Sequence, residues 1–188
     1  MTPDPTDRLS LLEKEIAAHL FVIRPTMAAY LGLHEYDGLL PDLSSESTER
    51  WAATSKELVR QLGEVPDSDL TRPRRLDRSI LRLLLEGNLF DLEETRELDR
   101  NPMSYLFQPD LTGYISRDYA PVDVRVAAIV RVLTSVPYLL ESAKQRLEPV
   151  LPRPFVTLSI QIASGLPEHF AEGESFAATG SETLREEV

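Results

Sequence analysis

The stretch from Arg75 to Asp99 contains no proline, in a chain that has 14 of them. Leu76, Ile80, Leu83, Leu84, Gly87 and Phe90 recur in it at helical spacing, and Leu81, Leu85, Leu89 and Leu92 form a second stripe. One apolar stripe marks a surface helix, whereas two mark a helix packed on two sides. The sequence therefore predicts an all-α fold, a multi-helix array packed around a central helix at about 75–99, with Gly87 admitting a close neighbour.

With 188 residues, the chain can form a domain that buries roughly 70% of its unfolded surface. A formal charge of -11 argues against a nucleic-acid footprint and against docking on anionic membranes, both of which need clustered Lys and Arg. The acidity reads instead as solubility. There is no cysteine, so disulfides, thiolate catalysis and cysteine-built zinc sites are excluded. The start carries no basic segment followed by an apolar core, and no apolar run approaches the ~20 residues that span a bilayer. The expected location is cytoplasmic, with neither nucleic acid nor membrane as a partner.

Read in order, residues 1–6 are a flexible lead-in and residues 7–180 a helical domain. The first helix runs from about Asp7, with Leu9, Leu12, Ile16, Leu20 and Ile23 inward and Ser10 with Glu13 at capping-box spacing. Pro25 to Leu31 adds a turn or two before Gly32. The segment from Gly32 to Asp42 is a loop by composition. A helix follows from Ser44 or Ser45 to Leu62, with Trp51, Leu58 and Leu62 on one side. Beyond the 75–99 stretch lie a helical turn at 103–107 and an ordered loop. Pro121–Val136 fits both strand alternation and helical spacing; its length and the proline at a first helical position favour helix. Pro137 is expected to open another helix and Phe155–Gly165 to form one more. Glu172–Gly180 reads as a loop, and residues 181–188 as the start of a truncated helix, with Thr183 and Glu186 at capping-box spacing.

The candidate chemistry is sparse. His34 and Glu35 begin like a zinc-peptidase His-Glu-x-x-His, but position 38 is glycine; that motif needs two histidines one turn apart so that both rings reach one metal. His169 and Glu172 stand at i, i+3, a common accident. No Gly-x-Ser-x-Gly elbow and no phosphate loop is present. Tyr105, Phe107 and Tyr114 could line a pocket, although core packing explains them as well. His34, Tyr36 and Asp37 share one loop. Asp37 could simply cap the turn and Tyr36 plug the core; the functional alternative is that the three face a substrate cleft. No catalytic residue and no metal ligand is assigned.

The run Gly-Leu-His-Glu-Tyr-Asp-Gly-Leu-Leu-Pro-Asp at 32–42 resembles the N-terminal signature of a bacterial family catalogued as domain of unknown function number 885. Three further stretches fit it in order: Leu92 to Tyr105, Ala120 to Leu140, and the Ala-x-x-Leu-x-Pro run to about Pro152. The resemblance implies helical zinc-peptidase-like proteins in which this piece forms one wall of a substrate channel. The zinc site would then be built on a His-Glu-x-x-His that lies beyond these residues. No cofactor is assigned to this chain itself, zinc being implied only for full-length members. The implied partners are a C-terminal catalytic portion and a peptide substrate, with self-association through apolar faces left uncovered. The alternative is a free-standing helical binding module without enzymatic activity.

Overall fold

The structure, a computed structural model, describes the backbone of residues 5–186 and the side chains of residues 8–178. Within them the chain is helical, with no strand. The helices are α1 (Pro5–Ile23), α2 (Pro25–Tyr30), α3 (Ser45–Gly63), α4 (Arg72–Leu89), α5 (Glu97–Arg100), α6 (Met103–Leu106), α7 (Thr112–Ser116), α8 (Val122–Arg146) and α9 (Arg153–Glu186). The all-α expectation is met. Contacts divide the chain into two compact units. The first joins the residues up to Ile23 with Ser44–Glu97; the second joins Arg24–Leu43 with the residues from Leu98 onward.

In the first unit α1, α3 and α4 pack around Leu9, Leu12, Ile16, Leu58, Leu62 and Leu85. α1 is already helical at Pro5, inside the span read as a flexible lead-in; residues 1–4 of that span lie outside the described residues. Ser10 and Glu13 consequently lie inside the helix and do not cap it. Arg74 of α4 uses both instead, donating to Ser10 Oγ at 2.9 Å and to Glu13 Oε1 at 2.6 Å. α3 opens as the sequence suggests, with Ser44 Oγ accepting from the Ser47 N–H at 3.3 Å.

The 75–99 stretch differs from its reading. Leu85 is buried and Leu81 packs beside it, but Leu76, Ile80, Leu83, Leu84 and Phe90 are exposed. A Cβ built at Gly87 meets nothing within 4 Å. The helix thus has a single covered side within its unit and is not the centre of the array. It also ends early. The Thr95 N–H reaches back to the Phe90 carbonyl at 3.0 Å, widening the last turn to π geometry, and Arg96 then takes a φ of 54° that stops the helix.

His19 of α1 is half-buried, with Nε2 2.8 Å from Ser55 Oγ of α3. Burial lowers its pKa from the ordinary 6.5, while a hydrogen bond to the Trp51 backbone and the nearby Glu15 act in the opposite direction. The unfolded chain therefore takes up this proton at a higher pH than the folded one. The contribution is intact above about pH 6.5 and is lost as pH falls through the folded pKa. Urea midpoints measured from pH 7.5 to 5.5 should fall for the wild type and fall less for His19→Gln. Parallel pH profiles for the two proteins would remove His19 as the cause.

In the second unit α8 packs against α7 and α9 around Leu111, Tyr114, Ala128, Ile129 and Val132. Helix was the right choice for 121–136, but Pro137 starts nothing: α8 runs through it. Likewise the expected helix at 155–165 and loop at 172–180 are parts of one helix that passes Pro167 and continues through the first described residues of the 181–188 segment. The Thr183–Glu186 capping reading falls on side chains outside the described residues. Both internal prolines lie on exposed positions, where water can serve the carbonyl that each leaves without its helical donor. The small residues near 173 are explained by packing. A Cβ at Gly173 would stand 2.7 Å from Leu111 Cδ1, so α9 presses on the core where a loop had been read. By length and composition α8 alone among the described residues could cross a membrane. Its buried positions include Arg125, Ile129, Val132 and Leu139.

Candidate functional site

The loop between α2 and α3 carries the motif residues, and two glycines shape it. Gly32 and Gly38 have φ of 91° and 77°, a region that costs other residues about 1 kcal/mol or more. Between them His34–Tyr36 makes a single 3₁₀ turn, which turns Asp37 inward until it is buried. The Asp37 carboxylate accepts the Tyr119 hydroxyl at 2.9 Å and lies 3.2 Å from His34 Nδ1. The His34 ring stacks on Tyr119, with centroids 4.3 Å apart and planes within 2°. One position on, the Gly38 N–H donates to the Tyr114 hydroxyl at 2.8 Å.

These contacts tie the loop to residues 110–120, which are fixed in turn from α8. The Arg125 guanidinium donates to the carbonyls of Ala120, Tyr114 and Arg117. Arg117 then swings over the Tyr30 ring at 4.0 Å and donates to the Tyr30 carbonyl at 3.1 Å. The result is a cavity of about 430 Å³ lined by His34, Asp37, Tyr119, Tyr30, Arg117 and Asp110, among others.

The electrostatics follow from burial. Tyr119 is pushed well above the ordinary phenol range, first by burial and then by its bond to Asp37, so it holds its proton and remains a donor. Burial also raises Tyr114. With Nδ1 of His34 placed against the Asp37 carboxylate, Nε2 is the ring nitrogen left for a ligand. Arg117 is exposed and keeps guanidinium N–H groups beyond the one given to Tyr30. The cavity thus offers an imidazole, a cationic donor and an aromatic face.

Of the three loop residues proposed from sequence, the structure brings His34 and Asp37 together at the cavity; Tyr36 is not in its lining. Tyr30, Arg117 and Tyr119 were not singled out for the site. Of the other candidates, Tyr114 joins the cavity lining, and Tyr105 and His169 have packing roles. Tyr105 is buried and donates to the Leu98 carbonyl at 2.9 Å, with its pKa pushed up to about 12, chiefly by burial. Phe107 is exposed. His169 Nε2 accepts the Leu111 N–H at 2.9 Å, joining α9 to the start of α7. Among the described residues no three His, Asp or Glu side chains are placed to hold a metal ion.

Fold and cavity together define a class: an all-helical chain whose polar, aromatic-lined pocket is assembled from segments distant in sequence. Residues 25–187 match the family described as bacterial protein of unknown function (DUF885), and the chain belongs to that family. No curated protein matches it. Among solved structures it is similar to a protein of unknown function from Shewanella oneidensis that is described as a candidate lipoprotein, at 17% identity and a TM-score of 0.72. The match covers 95% of this chain but spans only 36% of that one, and at this identity it speaks for the fold alone.

Proposed function

We propose that the chain is the non-catalytic N-terminal helical portion of a zinc-peptidase-like protein, and that its cavity forms part of the wall of a substrate channel. The observation that carries this reading is the pocket in which Asp37 and Tyr119 orient His34 while Arg117 stands across Tyr30. A peptide presents N–H donors, carbonyl acceptors and apolar side chains. His34 Nε2 can take an N–H, Arg117 a carbonyl or carboxylate, and the Tyr30 ring a side chain. The likeness to a much longer chain agrees with a partial role.

The residues present do not fit a zinc site, since no convergent ligand set exists among those described. In this proposal the metal belongs to a catalytic portion supplied elsewhere, and no chemical step is assigned to this chain. The test is calorimetric titration of the 188-residue chain with a mixed peptide pool, alongside a hydrolysis assay with and without added zinc. Expected are weak binding, on the order of 0.1–1 mM for so open a site, and no turnover. His34→Ala and Arg117→Ala should each weaken binding at least about five-fold, as loss of one hydrogen-bonding group does. Turnover by the chain alone would overturn the proposal, as would binding indifferent to both substitutions.

A further inference from the structure

The outward face of α4 has a definite pattern. Leu76, Ile80, Leu83 and Phe90 are 62%, 48%, 69% and 57% exposed, and with Gly87 they follow a 4-3-4-3 spacing. That is the spacing of a helix–helix seam, in which side chains of one helix enter gaps of the other. Gly87 supplies such a gap, since nothing stands within 4 Å of a Cβ there. The flanking charges are polarised along the helix: Arg72 and Arg75 lie toward the start, Arg82 near the middle, Glu86 toward the end and Asp91 just past it, all exposed.

We propose that α4 pairs antiparallel with α4 of a second copy of this chain. In that direction Ile80 faces Leu83 of the second copy, Leu76 enters the gap at Gly87, and Arg75 comes opposite Glu86, each contact occurring twice about the two-fold axis. A parallel pair would set arginines against arginines and acids against acids. The helix dipoles also favour the antiparallel arrangement. Arg75 gives one N–H to the Asp67 carbonyl at 3.3 Å, and Glu86 pairs within its own helix with Arg82 at 2.7 Å; neither contact covers the apolar seam. Such a face buries roughly 500 Å² per partner, less than the ~800 Å² of a standard interface, so the dimer is weak, with a dissociation constant on the order of 10–100 µM. This inference is independent of the peptide-binding reading, because α4 belongs to the first unit and the cavity to the second.

Sedimentation equilibrium on the full chain from micromolar to millimolar concentration tests it, with circular dichroism melts as the check on folding. The wild type should show a monomer–dimer equilibrium. Leu83→Lys should weaken it at least about ten-fold while leaving the melt unchanged, because the side chain is exposed. Arg75→Glu and Glu86→Arg should each weaken it about three- to ten-fold, and the double reversal should restore it. A wild type monomeric throughout would overturn the proposal and leave the face to another segment or protein. So would dimerisation that survives Leu83→Lys, or a double reversal that fails to restore it.

Discussion

Gly38→Ala is expected to lower stability by roughly 3–5 kcal/mol, from backbone strain, steric overlap and lost hydrogen bonds acting together. Alanine would have to adopt a φ of 77°, which alone costs about 1 kcal/mol. Its Cβ would also stand 2.8 Å from the Ala128 carbonyl oxygen and 2.9 Å from Arg131 Cβ. The Ala128 carbonyl belongs to the backbone of a long helix, at a buried position, and cannot step aside as a flexible side chain could. The loop must therefore lift away from α8. Lifting stretches the 2.8 Å bond from the Gly38 N–H to Tyr114 and moves Asp37 off Tyr119. Gly32→Ala is the matched control: its φ of 91° carries a similar backbone cost, yet nothing lies within 4 Å of the added carbon. Urea unfolding should show a loss of about 1 kcal/mol for Gly32→Ala and roughly 3–5 kcal/mol for Gly38→Ala, together with loss of peptide binding in the latter. Equal effects at the two glycines would mean that the contact with α8 does not matter.

How much of this was legible depends on how local the signal was. α1 and α3 could be read because Leu9, Leu12 and Ile16, or Trp51, Leu58 and Leu62, recur with the helical period, and burial follows that period. The α4 stripe shows the limit of the same rule: periodicity marks Leu76, Ile80 and Leu83 as apolar but cannot say whether anything lies against them. Pro137 misled because a proline on an exposed helical face costs less than one facing the core, and α9 passes Pro167 in the same way. Glycine at 173 misled because a close approach to Leu111 calls for the same residue as a turn does.

The site divides in the same way. His34 and Asp37 stood out as polar side chains in a glycine-bounded loop. Their partners did not, because Tyr114 meets Gly38 across 76 residues and Tyr119 meets Asp37 across 82. Pairing at that separation leaves no trace in local spacing. Arg125 was still less visible, one of 20 basic residues on a helix read mainly for its valines.

Arg125 is nevertheless where the second large effect is expected. Arg125→Met should cost roughly 3–5 kcal/mol, the usual penalty for removing one partner of a buried charged network. The residue is 6% exposed. It donates to Ala120 O at 3.0 Å, Arg117 O at 2.9 Å and Tyr114 O at 3.3 Å, while its Cζ lies 5.0 Å from the Phe176 ring centroid. Its ion pair with Asp118, at 3.2 Å, contributes little because that carboxylate is 94% exposed and screened by water. The charge is thus held mainly by backbone carbonyls, which mutation cannot replace with apolar groups. Methionine fills similar volume but takes this donor from the buried Tyr114 carbonyl and the part-buried Ala120 and Arg117 carbonyls, which recover partners fully only if the segment opens to water. That segment carries Tyr114, Arg117 and Tyr119, so opening it dismantles the cavity. Hydrogen exchange should show protection lost at 112–120 in Arg125→Met, with peptide binding abolished. Asp118→Asn should change stability by less than about 0.5 kcal/mol. Arg125→Lys should fall between the two, because one ammonium keeps the charge but cannot span carbonyls arranged for a planar fork. If Arg125→Met proves no more disruptive than Asp118→Asn, then the carbonyls are satisfied some other way, and the cavity does not depend on this guanidinium.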